Sequence, residues 1–487
     1  MNITLISFVV LYLLGTLGLG VWAGTRIKNT TDFAVAGRSL PLIMVITTTF
    51  ATWFGAETVM GIPAKFVQGG LNAIVEDPFG AGTCLILVGM FFAARLYKLN
   101  LLTIGDFYRQ RFGKGIEVFC SVAIIISYLG WVAAQITALG LVFSVLTNGA
   151  MSETAGMIVG TLAVLIYVVI GGFLAVAWTD FIQMIVLVVG LSIIAMFSAD
   201  LAGGTGKVIE MASQKDLWKF MPQPTFTEMA MFIGSAVTMM LGSIPQQDVF
   251  QRVMSAKDAK TARRGAMIGG ASYILFAAVP MFIVSCAIIV LGDHGLEMAK
   301  NDYQRLLPTF VLTKMPLVMQ ILFFGALLSA IKSTSSATLL APSTSFVENI
   351  LKNLRPGMGD KQQLFAMRAT IVVFAASVLL YAIKMNGTSI YELVSSAYQI
   401  TLVGAFVPLV MGLYWKRATT QGAIFSLGAG ILTWIVFFPQ ISSLGATFPG
   451  QLAGLLAGFI GMIVGSLMPQ VLRNRHDGVH HVKGLNA

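Results

Sequence analysis

ITTTFATWFGAETVMG, residues 46–61, lies inside an apolar segment yet is not itself apolar. Thr47, Thr48, Thr49, Thr52 and Thr58 crowd it, Glu57 places a carboxylate near its centre, and Gly55 interrupts it. In hydrocarbon such groups cost several kcal/mol unless they face a bundle interior or water. A segment that carries them at membrane depth therefore lines a cavity. Composition places this segment in a membrane: of 487 residues 56% are hydrophobic and 11% charged, against roughly a quarter charged in a soluble domain. That excludes a soluble enzyme, a disordered chain and a secreted disulfide scaffold. Cys84, Cys120 and Cys286 lie in apolar stretches, odd in number and without CxxC spacing, which argues against disulfides and zinc.

Working outward, stretches of about 20 apolar residues predict thirteen spans, at 4–24, 41–66, 78–97, 116–147, 154–173, 176–199, 227–246, 266–292, 315–348, 367–385, 389–414, 420–438 and 449–469. The fold class is an all-α polytopic membrane protein, one transmembrane domain over 1–475 with a tail at 476–487. The first span has no basic leader and is too long for a cleaved signal. With the N-terminus outside, twenty-two of the 31 Lys and Arg fall on the cytoplasmic side, as the positive-inside rule requires. The expected setting is a cell or inner membrane, crossed many times, with the C-terminus cytoplasmic. The net charge of +10 is then a membrane-surface feature, and no nucleic acid is implied.

Two further spans are irregular. The seventh ends LGSIPQQDVFQR, 241–252, with Gly242, Pro245, Gln246 and Gln247; the ninth contains ALLSAIKSTSSATLLAPST, 326–344, with Lys332 among hydroxyls. Packing is the plain reading of a single Ser or Thr, which bonds back to its own helix. The clusters together point instead to a cavity. With the first span set aside, the second and seventh occupy corresponding places in two halves, 41–200 and 227–414. Interrupted helices at such positions mark the binding sites of secondary transporters built from inverted repeats. The spans at 4–24 and 420–469 are extra to this five-plus-five core.

The segments GRSLPLIMVITTTFATWFGAE (37–57), YVVIGGFLAVAWTDFIQ (167–183), IPQQDVFQR (244–252) and FFGALLSAIKSTSSATLLAPSTSFVENIL (323–351) together resemble the sodium:solute symporter family, nearest its high-affinity choline transporter branch. The resemblance covers about residues 4–470. It implies a thirteen-helix fold and Na+-driven uptake of a small organic solute by alternating access, with a monomer as the functional unit, and neither an enzyme activity nor an organic cofactor. By the family pattern the ion lies against the carbonyls of Ala51, Phe54 and Ala330 and the hydroxyls of Ser333 and Thr334, with Asp180 on its exit route. The solute lies against Trp53, Glu57, Thr58, Trp131, Gln135, Gln246, Gln247 and Tyr398. Trp53 and Trp131 match aromatic positions of the choline branch, and indole faces attract quaternary ammonium groups. Gln246 and Ala81 stand where that branch carries aromatics, which suits a polar or zwitterionic solute instead.

Lys332 departs from the family pattern. Three readings stay open: a structural or paired lysine, with Glu57 as the acid at comparable depth; a charge that tunes the Na+ site; or a proton carrier that replaces Na+ by H+. An uncoupled facilitator of the same fold is a further alternative. The basic stretches 105–115 and 258–265 are expected on the membrane surface facing lipid headgroups. The tail histidines His476, His480 and His481 are expected in a disordered tail.

Overall fold

The computed structural model describes residues 3–438 and 443–472. The segment with the three tail histidines lies outside the described residues. Every regular element described is a helix; one isolated parallel bridge joins Leu40 to Ala256. In chain order the principal helices are α1 (Ile3–Gly24), α2 (Leu42–Trp53), α3 (Glu57–Gly69), α4 (Leu71–Lys98), α5 (Ile104–Phe112), α6 (Lys114–Leu146), α7 (Glu153–Leu201), α8 (Phe226–Gly242), α9 (Gln247–Ser255), α10 (Ala259–Leu291), α11 (Leu317–Leu354), α12 (Asp360–Lys384), α13 (Ile390–Tyr414), α14 (Thr420–Val436) and α15 (Gly450–Leu467).

Among the described residues nine helices are long and apolar enough to cross a membrane, or eleven if each of two bent pairs counts as one span. The bent pairs are α2 with α3, at 55°, and α8 with α9, at 45°. These are the two spans whose sequence predicted a break. Large apolar side chains such as Leu11, Leu275, Phe365 and Ile460 are exposed on the outside, as a lipid-facing surface demands. The polar clusters are turned inward, because a lipid-exposed polar group has nothing to bond.

The spans expected at 154–173 and 176–199 are both present: α7, 49 residues from Glu153 to Leu201, is two helices that meet at a non-helical kink at Gly172. At about 1.5 Å per residue it is far longer than the hydrocarbon core. Gly172 has φ 50° and ψ −157°, a conformation open to glycine, and a Cβ there would meet the Phe33 ring at 2.5 Å.

Three expectations at the charged end need correction. Residues 258–265 are not a separate surface helix: from Ala259 they form the first turns of α10, capped by Asp258, which accepts from Thr261 N at 2.7 Å. Helix α5 packs one face into the protein, so Arg111 does not face lipid headgroups. Ile104, Phe107, Tyr108, Arg111 and Phe112 are buried, and Arg111 donates to the carbonyls of Gly412 (3.2 Å) and Ala418 (2.5 Å). Arg252, assigned to a cytoplasmic loop by position, is only 2% exposed and belongs to the core.

Candidate ion and solute site

Breaking a helix in a membrane frees backbone groups that protein must satisfy. Helix α2 makes its last turn bond from Phe54 N to Phe50 O at 3.0 Å, so the carbonyls of Ala51, Thr52, Trp53 and Phe54 have no partner within the helix. Thr334 donates to Thr52 O (2.8 Å) and Thr58 to Trp53 O (3.1 Å). Ala51 and Phe54 are the remaining two of the set, and they are two of the three carbonyls assigned to the ion from sequence. Beyond the break, Ala56 N donates to Gln135 Oε1 at 2.9 Å. In the second break Thr401 donates to Gly242 O at 2.7 Å. The two breaks touch: Trp53 Nε1 donates to Asp248 Oδ2 at 3.2 Å, and Arg252 Nε donates to Thr52 Oγ1 at 3.1 Å.

Helix α11 runs unbroken past its hydroxyls, which separate into two kinds. Ser335, Thr338, Ser343 and Thr344 bond back to carbonyls four residues earlier at 2.6–3.0 Å, and Ser336 does the same to Lys332 O. Ser333 and Thr334 reach across instead. Ser333 donates to Asp180 Oδ1 at 2.5 Å; the other carboxylate oxygen accepts from Thr48 at 2.5 Å. Asp180 thus ties α7 to α2 and α11, in contact with Ser333, which the sequence reading assigns to the ion. Ala330 is fully buried one turn before Ser333 and Thr334 on the same helix. Oxygens from α2, α7 and α11 converge here, the atom type a hard monovalent cation takes, with the Arg252 guanidinium beside them on Thr52 Oγ1 and Thr48 O.

Lys332 faces elsewhere. Its ammonium stands 4.2 Å above the Tyr167 ring, and Ser329, one turn earlier, lies 2.6 Å from the Tyr12 hydroxyl. That is the side of α1 and the first part of α7. Pairing with Glu57 does not occur: Glu57 accepts from Trp131 Nε1 (3.1 Å) and Gln135 Nε2 (2.6 Å). Nor is Glu57 the sole acid at this depth, since Asp77, Asp180 and Asp248 are all buried. Among the described residues no carboxylate lies within ion-pair distance of Lys332.

On the other side of the break four rings meet. Trp53 and Trp131 stand 5.4 Å apart, Trp131 and Tyr398 5.6 Å, Trp53 and Tyr398 6.1 Å, and Tyr128 stacks on Trp131 at 6.2 Å. Each indole N–H is bonded to a carboxylate, Trp53 to Asp248 and Trp131 to Glu57. Asp248 Oδ1 also accepts from Tyr128 at 2.6 Å. The Tyr398 hydroxyl is buried without a hydrogen-bond partner among the described residues. Gly55 joins the two sides, for a Cβ there would lie 2.6 Å from Glu57 Oε2, 2.6 Å from Thr334 Oγ1 and 2.9 Å from Gln135 Oε1.

Thr58 lies behind the cluster, 3.0 Å from the Tyr273 hydroxyl. Gln246 sits at its edge, donating to Ser127 at 2.8 Å. Gln247 does not join it: its carbonyl oxygen accepts from Ile104 N at 2.9 Å, at the start of α5. Sequence reasoning missed Tyr128, Asp248 and Arg252. Tyr128 had a signal, since 128, 131 and 135 share one helical face. Asp248 and Arg252 stood inside a quoted motif just past the end expected for the seventh span at 246, and Arg252 was counted with the cytoplasmic charges.

Three comparisons bear on this arrangement. The chain is 29% identical to the high affinity choline transporter 1 of Homo sapiens over 451 residues, 88% of this chain and 75% of that protein. It is 27% identical to the high-affinity proline transporter PutP of Bacillus subtilis, covering 94% of this chain and 98% of the relative. A solved Na+-coupled sialic acid symporter, substrate-bound and outward-open, matches with a TM-score of 0.82 at 21% identity over 96% of this chain and 98% of its own, a likeness of fold. The family model for the sodium:solute symporter family matches residues 33–430; with its bent spans and inward-turned polar seam, the chain is a multi-pass membrane transporter that belongs to the sodium:solute symporter family.

Proposed function

We propose that the chain carries a small organic cation, of the quaternary ammonium class, into the cell together with Na+ by alternating access. The observation that carries this is the box of Trp53, Tyr128, Trp131 and Tyr398 with Glu57 and Asp248 on its indole edges. Ring faces and two nearby carboxylates favour a positive, poorly hydrated group, each cation–π contact contributing on the order of 2 kcal/mol once dry. The choline-transporting relatives support the same class. Tyr128 supplies a wall that the sequence reading lacked, so a zwitterionic solute is no longer the better fit.

Na+ takes the carbonyls of Ala51, Phe54 and Ala330 and the hydroxyls of Ser333 and Thr334, with Asp180 as the anionic neighbour that draws it in and receives it on the way out. The core is a five-plus-five inverted repeat, 41–200 and 227–414, with the N-terminus outside. Counting α7 as two passes and α14 as one gives thirteen spans. Removing Arg111 and Arg252 from the loop count leaves the cytoplasmic excess of Lys and Arg intact. The rings stand in mutual contact, too close for an ammonium between them, so loading must separate them.

The test is uptake into proteoliposomes of labelled choline, betaine, proline and pantothenate, with Na+ and pH gradients imposed separately. Accumulation of choline driven by Na+ alone is expected. Equal choline entry without any ion gradient, and no accumulation, would mark an uncoupled facilitator and end the proposal.

A further inference from the structure

A groove of about 840 Å3 runs down the outside of the bundle between α14 and the start of α6. One face of α14 forms its long wall, where Ile424, Leu427, Ile431 and Leu432 recur at helical spacing. From Thr420 to Leu432 the helix rises about 18 Å at about 1.5 Å per residue. That is close to the depth of one leaflet's hydrocarbon, about 15 Å. Ile116 and Phe119 of α6 form the facing wall. The other side of α14 is already used: a Cβ on Gly422 would lie 2.8 Å from Met462 O, and one on Gly430 3.2 Å from Gly454 O, both on α15. The groove side has glycines of a different kind. A Cβ on Gly115 or Gly428 would meet no heavy atom within 4 Å. Glycine is a poorer helix former than alanine, yet at these two lining positions it leaves the channel bare.

One end of the groove is basic. Thr420 Oγ1 donates to Phe112 O at 3.1 Å and ties the two walls there. Lys114, between the lining residues Phe112 and Gly115, is exposed, as are Lys416 and Arg417 in the turn that enters α14. Both helices start at this end, so their positive dipole ends add to these charges. Little opposes them. Helix α14 carries no charged residue. Glu117, the acid in the first turn of α6, is buried and accepts from Asn349 and Asn353 at 3.0 Å.

A basic rim above an apolar channel of one leaflet's depth is complementary to a negative headgroup on an acyl chain. We propose that the groove binds an anionic phospholipid of the cytoplasmic leaflet, its phosphate against Lys114 and Arg417 and one acyl chain along α14 over Gly428. The leaflet follows from the orientation given above; the site itself is independent of the transported solute. The sequence after Leu472 offers no apolar run for the channel, since seven of its fifteen residues are Lys, Arg, Asp or His.

The test reads lipid binding without transport. Purified protein stripped of lipid is titrated with dioleoylphosphatidylglycerol or dioleoylphosphatidylcholine and weighed by native mass spectrometry. The first phosphatidylglycerol should bind about tenfold more tightly than phosphatidylcholine. Gly428→Phe, at a position with room for the ring, should fill the channel and weaken that binding about tenfold. Gly15→Phe, at an equally open position on α1, should leave it within about twofold. Lys114→Gln combined with Arg417→Gln should bring the two lipids to within about twofold of each other by weakening phosphatidylglycerol alone. Equal affinity of the unaltered protein for the two lipids, or full phosphatidylglycerol binding by Gly428→Phe, overturns the proposal. So does a lipid-free protein that is dimeric and turns monomeric in Gly428→Phe, which would make the groove an interface between copies.

Discussion

At the scale of single residues, the hydroxyl run on α11 shows what one-dimensional reading can and cannot separate. Each Ser or Thr on a helix can reach the carbonyl four residues back, so the sequence offers nine equivalent candidates on α11. Only the neighbour opposite decides, and Asp180 and Thr52 stand opposite Ser333 and Thr334 alone. Ser333→Ala should therefore raise the Na+ concentration for half-maximal uptake about tenfold, roughly 1.4 kcal/mol, while Ser335→Ala, which loses only a bond to its own helix, should leave it within about twofold. A Na+ titration of uptake on both variants decides this, and equal effects would remove Ser333 from the ion site. Lys332 belongs to the same scale. Its place over Tyr167, away from the α2 break, fits a packing and charge element on the α1 side. Lys332→Met should keep uptake Na+-driven. Uptake driven by a pH gradient in Na+-free buffer, lost in Lys332→Met, would restore the proton-carrier reading.

At the scale of elements, the two bends were legible because glycine and proline at polar helix middles leave few alternatives, as Gly55 and Pro245 illustrate. So was the kink of α7 at Gly172, because the paired glycines at 171–172 fall at the boundary between the spans expected at 154–173 and 176–199. Arg111 and Arg252 were not legible. Charge counting sorts residues by their distance from apolar runs, whereas a guanidinium can be buried wherever enough carbonyl and hydroxyl oxygens meet its fork. Arg252 has the Asp248 carbonyl at 2.6 Å besides the Thr52 hydroxyl and Thr48 carbonyl. The bends carry their own prediction. Gly55→Ala would drive a methyl into three oxygens at the junction of ion and solute sides. Overpacking of that kind costs about 1–3 kcal/mol, and because the crowded atoms are Glu57, Thr334 and Gln135 the loss should appear in binding of both ligands. Gly172→Ala, which strains a kink remote from the rings, should lower thermal stability in detergent by about 1–3 kcal/mol and change neither apparent affinity much. Scanning calorimetry beside uptake kinetics separates the two.

At the scale of the whole molecule, the oxygens proposed for the ion and the ring box share one wall, the broken segment from Ala51 to Thr58. Thr334 holds the carbonyl of Thr52, next to Trp53, and Gly55 packs against both Thr334 and Glu57. An ion that draws Thr334 and the Ala51 and Phe54 carbonyls towards itself must shift the residues that carry the indole of Trp53 and the carboxylate of Glu57. Coupling between two such ligands is reciprocal by thermodynamic necessity and of the order of 5- to 150-fold. Choline should therefore bind more tightly as Na+ rises, and Na+ more tightly with choline, by one common factor. Because loading must part Trp53 from Trp131, indole fluorescence of purified protein reports it directly. Ser333→Ala should shrink that common factor while leaving choline affinity in Na+-free buffer unchanged, and Trp53→Ala should weaken choline while leaving Na+ affinity in the absence of choline unchanged. Two factors that differ, or a Ser333→Ala variant that loses choline affinity even without Na+, would mean that the bent helix is not the shared wall through which ion and cargo sense each other.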